Sequence, residues 1–185
     1  MAGLKLALLD RDGVLNRKPP EGSYISRPED LELLAGVPEA IRLLNTNDVS
    51  VAVLTNQRGV ALGLYDQARL DEIHSLLRNE LGRAGARLDA IYVCPHDEGQ
   101  CECRKPKTGL IRQAFQDFPF ATLENSVLIG DSLPDILAGR SFGLRTIFVE
   151  TYPAYQKPGA AEAARLANWQ APDLLAAVRR LLAEW

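Results

Sequence analysis

Short runs of Val, Ile, Leu and Ala recur along the chain, separated by longer stretches in which apolar residues return every third or fourth position. The runs LKLALLD (4–10), VSVAVLTN (49–56), LDAIYVC (88–94), SVLIGD (126–131) and RTIFVE (145–150) are apolar with little alternation, the pattern of parallel strands covered on both faces. The intervening stretches predict helices over 37–46, with Pro38 suited to a first turn; over 66–81, with Leu70, Ile73, Leu77 and Leu81 on one face; and over 108–118, with Leu110, Ala114 and Phe118 aligned. Asp66 and Thr108 are the expected N-caps. A helix over 132–143 starts with Ser132, Pro134 and Asp135 spaced as a capping box and stops near Gly143; two more follow over 159–166 and 172–184. Strands alternating with helices predict an α/β fold, a three-layer Rossmann-like sandwich around a mostly parallel central sheet. The longest irregular piece, 16–34, reads as a surface excursion after the first strand, of a length often given to function.

Composition narrows this picture. With 185 residues, 46% of them hydrophobic and 24% charged, the chain suits one globular domain over 1–185 with a sizeable core. Acids and bases are interspersed to a formal charge of -3, and no basic block is present that tracks a nucleic-acid backbone or an anionic membrane. A small phosphorylated molecule bound in a local cationic pocket is compatible with that balance. The N-terminal apolar run is too short, and interrupted by Lys5, for a secretory segment, and no stretch reaches membrane-spanning length. Three cysteines are an odd number, which argues against a disulfide framework and for a reducing cytoplasm.

Polar residues gather at the carboxyl ends of the predicted strands, the edge where open α/β sheets bind ligands. Asp10 and Asp12 follow the first strand, Thr55 and Asn56 end the second, Cys94 ends the third, and Asp131 ends the fourth with Asp135 one turn later. Lys105 arrives from the loop after the third. Taken singly, each has a plain structural reading: DxDG is a common turn in which Gly13 supplies a positive φ, TN caps a strand, and GDS starts a helix. Together, three carboxylates, a hydroxyl and a lysine at one sheet edge exceed what capping requires. His74, on the 66–81 helix away from the strand ends, reads as a partly exposed helix residue. The run 17–26 reads as a solvated loop, with substrate contact as the alternative. Every cysteine lies in CPHDEGQCEC, and Cys94, His96, Cys101 and Cys103 form C-x-H-x4-C-x-C. Three thiols and an imidazole suit tetrahedral zinc, against the alternative of free buried thiols; a bond between Cys101 and Cys103 is disfavoured by the short ring.

LDRDGVLN, LTNQRG, CRKPKTG and IGDSLPD, in this order, resemble the four motifs of the haloacid dehalogenase (HAD) superfamily of phosphohydrolases across nearly the whole chain. With CPH and CxC added, the chain is most similar to the group of heptose-bisphosphate and histidinol-phosphate phosphatases, which lacks a large cap domain. The resemblance implies a Mg²⁺-dependent phosphomonoesterase: Asp10 as the nucleophile that forms an aspartyl-phosphate, Asp12 as general acid and base, and Thr55 and Lys105 as partners of the phosphoryl oxygens. Asp10, Asp131 and the backbone carbonyl of Asp12 are the implied Mg²⁺ ligands, with Asp135 a supporting residue or simply a first-turn helix acid. Asn56, Gln57, Arg58 and Arg104 are the implied substrate contacts, and Cys94, His96, Cys101 and Cys103 the implied structural Zn²⁺ site, a clamp that presents Arg104 and Lys105. A heptose 1,7-bisphosphate ranks first as substrate and histidinol phosphate second, because the chain reads GVALG, with Leu62 where many heptose enzymes carry arginine, and its zinc loop is short. A monomer in the cytoplasm is expected. A catalytically silent zinc-supported module and a nucleic-acid end-processing phosphatase are the rival classes; the intact Asp10/Asp12 pair opposes the first, and the acidic balance opposes the second.

Overall fold

The computed structural model describes residues 3–150 and 158–185. Six strands, β1 (Leu6–Leu9), β2 (Ser50–Asn56), β3 (Ala90–Cys94), β4 (Ser126–Gly130), β5 (Arg145–Val149) and β6 (Trp169–Ala171), form one sheet in the order β3-β2-β1-β4-β5-β6. Every neighbouring pair is parallel. The helices are α1 (Val37–Thr46), α2 (Arg58–Ala61), α3 (Gln67–Arg83), α4 (Gly109–Asp117), α5 (Leu133–Phe142), α6 (Ala160–Leu166) and α7 (Leu174–Glu184).

The strand alternation sorts the core into two layers. Ala7, Leu9, Val51, Val53, Val127 and Ile129 face one side and pack with Val37, Ile41 and Leu44 of α1, Leu77 and Leu81 of α3, and Leu174, Val178 and Leu181 of α7. Leu6, Leu8, Ala52, Leu54 and Leu128 face the other, against Leu110, Ile111 and Ala114 of α4 and Ala138 of α5. A smaller cluster joins Ile136 of α5, Phe148 of β5 and Ala163 of α6. With helices on both faces, the central strands have no solvent side, which is why their sequences run apolar without alternation. No described helix is long and apolar enough to cross a membrane.

The capping expectations are largely met. Asp66 accepts from the Arg69 amide at 2.8 Å, and Ser132 and Asp135 form the capping box of α5. Thr108 stands at the N-cap of α4 without a side-chain cap bond. The three-residue β6, the four-residue α2 and a 3-10 turn at Pro28–Asp30 were not expected; each is too short to carry a periodic pattern.

A strand order of 3-2-1-4-5-6 reverses direction between β1 and β4, and the crevice outside their carboxyl ends is the ligand position in such sheets. Asp10 follows β1 there, and Asp131 follows β4.

Candidate active site

Short connections at the switch point fix the acidic residues. Asp10 leaves β1 with its amide bonded to the Ile129 carbonyl at 3.0 Å, so it stays in register with β4. Gly13 turns the chain at φ 97°, a conformation that suits glycine. On the β4 side, a Cβ on Gly130 would stand 2.3 Å from that of Asp135, so only glycine lets α5 begin this close to the strand.

Asp10, Asp131 and Asp135 offer carboxylate oxygens that all lie within 4.8 Å of one another. Two lysines offset them. Lys105 Nζ donates to Asp10 Oδ1 at 2.8 Å and to the Leu54 carbonyl at 2.6 Å, and pairs with Asp135 Oδ1 at 2.6 Å. Lys18 Nζ pairs with Asp131 Oδ2. Burial raises the Asp10 carboxyl above the usual range, Asp135 adds to this, and Lys105 opposes both. Burial likewise pushes Asp131 up to about 7, with Lys18 opposing and Asp10 and Asp135 assisting. For Lys105, burial works against the charged form, but Asp10 and Asp135 override it and hold the ammonium well above its ordinary range.

This acidic focus has the chemistry of a divalent-cation site. Asp131 Oδ1 is buried with no hydrogen-bond partner among the described residues, and an ammonium already stands against its other oxygen. Oxygen donors with room for water suit Mg²⁺. Asp10 and Asp131 fit as ligands, and Asp135 is tied to Lys105 and to the Ser132 cap.

Asp12 faces a different environment. Its carboxylate accepts from Arg11 Nη2 at 2.9 and 3.1 Å and Nε at 3.1 Å, from Asn16 Nδ2 at 2.9 Å and from Gln57 Nε2 at 3.1 Å. Burial alone would raise it, but Arg11, Asn16 and Gln57 favour the ionised form and hold it below the usual range. Thr55, 1% exposed, accepts from Gln57 Nε2 at 2.7 Å and keeps its own hydrogen for another acceptor.

Several expected substrate contacts have other occupations. Asn56 clamps the Lys105 backbone, donating to its carbonyl and accepting from its amide, both at 3.1 Å. Gln57 is 2% exposed, and its amide is filled by Asp12, Thr55 and the Tyr65 hydroxyl, which donates at 2.7 Å. Arg58 pairs with Asp97 at 2.5 Å, and Arg104 stands 3.8 Å from Glu98 with a buried Nη1 that has no hydrogen-bond partner among the described residues. Those two arginines remain partly exposed.

Two expectations need correction. His74 is buried rather than partly exposed, at 8%, because its ring meets Arg11 beneath Asp12. The 16–34 excursion is not purely superficial: Asn16 and Lys18 are buried and reach the acidic residues. Neither was readable from periodicity, since the contacts join residues 63 and 113 positions apart.

Cys94, His96, Cys101 and Cys103 converge after β3. Cys103 Sγ lies 3.0 Å from Cys94 Sγ and 3.3 Å from Cys101 Sγ, Cys94 and Cys101 are 3.4 Å apart, and His96 Nδ1 is 3.3 Å from Cys103. All three thiols are free of disulfides. The backbone ties this cluster to the segment after β2: the Gln57 amide donates to the Cys94 carbonyl at 2.8 Å, and the Ala61 amide to that of Pro95 at 3.1 Å.

A family model described as HAD-hydrolase-like matches residues 102–177. The D-glycero-beta-D-manno-heptose-1,7-bisphosphate 7-phosphatase of Bordetella bronchiseptica is 37% identical over 80% of this chain and 82% of its own length. The chain belongs to the HAD-like phosphatase family. Another HAD-like relative, the D-glycero-alpha-D-manno-heptose-1,7-bisphosphate 7-phosphatase of Campylobacter jejuni, is 35% identical over 78% of this chain and 81% of its own length. Among solved HAD-like phosphatases, the crystal structure of D,D-heptose 1,7-bisphosphate phosphatase from B. bronchiseptica, complexed with magnesium and phosphate, superposes with a TM-score of 0.86 at 32% identity, covering 98% of this chain and 100% of that one.

Proposed function

We propose that this protein is a Mg²⁺-dependent phosphomonoesterase that removes one phosphate from a heptose 1,7-bisphosphate through an aspartyl-phosphate on Asp10, acting as a single-domain monomer in the cytoplasm. One observation carries the reading: at the β1/β4 switch point Asp10 lies 2.8 Å from the Lys105 ammonium and beside Asp131, while the next carboxyl, Asp12 two residues on, is held apart by Arg11. Relatives named for the 7-phosphatase reaction support the substrate class.

The chemistry follows from these positions. A phosphate monoester dianion repels a carboxylate, so charge neutralisation and alignment carry most of the catalysis. Asp10, Asp131 and, by the family pattern, the Asp12 carbonyl would hold Mg²⁺, which would supply positive charge against the phosphoryl oxygens. Lys105 adds a fixed ammonium and Thr55 a hydroxyl donor on the same edge. Asp10 Oδ attacks phosphorus, the bond from phosphorus to the sugar oxygen breaks, and that oxygen takes the proton of the Asp12 carboxyl. In the second half Asp12, now a carboxylate, takes a proton from water as the water oxygen attacks phosphorus; the bond to Asp10 breaks and inorganic phosphate leaves. Arg11 favours ionised Asp12, whereas the negative charge of bound substrate favours the protonated form; the proton itself is the one taken from water in the preceding turnover or one taken from solvent.

Cys94, His96, Cys101 and Cys103 form a structural Zn²⁺ clip in this account. The donor set fits: three thiols and an imidazole fill four positions and leave none open for substrate. Its effect is mechanical, fixing the chain that leads to Arg104 and Lys105. Arg104 and Arg58 are the candidates for the second phosphate, Arg104 standing near Glu98 and Arg58 paired with Asp97.

Leu62, 43% exposed, stands where many heptose enzymes carry arginine, so one cation for a second phosphate is missing and histidinol phosphate is the second substrate reading. Phosphate release measured with both heptose 1,7-bisphosphate anomers and with histidinol phosphate, each with and without Mg²⁺, separates the readings. Mg²⁺-dependent release of one phosphate from a heptose bisphosphate is expected. A clear preference for histidinol phosphate would move the assignment, and no release from any phosphomonoester would overturn it.

A further inference from the structure

The cage around Asp12 extends one residue beyond its direct partners. Arg11 is fully buried, so its guanidinium hydrogens require protein acceptors. Nε and Nη2 are directed at Asp12, and Nη1 lies 3.1 Å from Nε2 of His74. A guanidinium only donates. His74 Nε2 is therefore the acceptor, which makes the ring neutral with its proton on Nδ1; burial, assisted by Arg11, lowers the histidine to about 4 and agrees with this. His74 comes from α3, a 17-residue helix seated by Leu70, Ile73 and Leu77, each fully buried, so the acceptor is set in a rigid element rather than in a loop.

We propose that His74 is a positioning residue for the acid–base step: by fixing the plane of the Arg11 guanidinium it fixes the Asp12 carboxyl that hands its proton to the leaving oxygen. This inference rests on the reading of Asp12 as general acid. Gln57 supplies a second wall, itself oriented by the Tyr65 hydroxyl at 2.7 Å, but it bonds Asp12 directly, whereas His74 meets the arginine. With that acceptor gone, Arg11 Nη1 must turn toward another partner, and the two bonds that Nη2 gives to the two Asp12 oxygens turn with it.

The leaving group discriminates positioning from bulk structure. An alkoxide needs the Asp12 proton as it departs, whereas p-nitrophenolate leaves without one, and kcat/KM reports only steps up to that departure. His74→Phe keeps the ring volume and removes the acceptor. It is expected to lower kcat/KM for the sugar bisphosphate by about tenfold or more, within the range that general acid catalysis contributes. For p-nitrophenyl phosphate the change should stay within about twofold, so that dependence on the leaving group steepens. His74→Gln, whose Oε1 is an acceptor of similar reach, should restore most of the loss. Should His74→Phe fold poorly by circular dichroism, His74→Leu takes its place in the same pair of assays. Equal losses on both substrates, no loss on either, or failure of His74→Gln to recover would overturn the proposal. Asp12→Asn run alongside separates the two levels: a variant that loses both substrates equally removes the general-acid reading itself, whereas selective loss in Asp12→Asn but not in His74→Phe removes only the role of His74.

Discussion

Lys18 illustrates how much of this site depends on charge placed at single atoms. Its ammonium, 6% exposed, pairs with Asp131, a carboxylate that the acidic focus needs for a cation. A divalent ion entering there must displace or redirect that ammonium, since two cations on one buried carboxylate repel. Lys18→Met should therefore tighten Mg²⁺ binding, by about tenfold for an interaction of about 1.4 kcal/mol, as read by titration calorimetry. An unchanged Kd would show that the pair lies off the ion's path. Arg104 and Lys105 adjoin in sequence but differ in chemistry. Lys105 touches Asp10, the proposed nucleophile, and Arg104 offers a planar fork with a buried nitrogen that has no hydrogen-bond partner among the described residues. Lys105→Ala should lower kcat by two orders of magnitude or so, the scale of losing one preorganised charge, while Arg104→Ala should mainly raise KM. Identical kinetic profiles for the two variants would contradict this division.

Among the elements, the long ones were legible and the short ones were not. Runs such as SVLIGD and the Leu70, Ile73, Leu77, Leu81 stripe carry enough periodicity to place β4 and α3, whereas β6 offers only Trp169, Gln170 and Ala171. The gathering of Asp10, Asp131 and Lys105 at one sheet edge was legible because strand ends and motif residues coincide in sequence. Lys18 and His74 were not, since each depends on a tertiary contact that leaves no local pattern, and the inward turn of Asn16 onto Asp12, though only four residues away, follows an irregular turn with no periodicity. Element-level energetics give two tests. Leu8 is fully buried in the central strand between β2 and β4, and Leu8→Ala should cost about 2–5 kcal/mol in urea unfolding; a loss below that range would contradict its place in the core. The cysteine loop should behave independently: Cys101→Ser should remove about one bound zinc per chain by elemental analysis and lower activity while leaving the unfolding of the sheet core nearly unchanged. Wild-type protein purified without zinc, yet fully active, would remove the clip.

At the scale of the whole molecule, a parallel sheet with its strand order reversed between β1 and β4 opens a crevice, and the chain brings the groups proposed to react to it. β1 delivers Asp10 and Asp12, β2 delivers Thr55, β4 delivers Asp131, and the segment after the cysteine cluster returns Lys105 to Asp10 across 95 residues. The central claim is that this convergence makes Asp10 a nucleophile rather than a metal ligand alone. Acid quenching of the enzyme during turnover of heptose 1,7-bisphosphate with Mg²⁺, followed by mass spectrometry of the peptide that contains Asp10, tests it directly. The account predicts a phosphoryl adduct on Asp10, absent in Asp10→Asn along with turnover. Sustained turnover by Asp10→Asn with deamidation excluded, or an adduct on another residue, would contradict it.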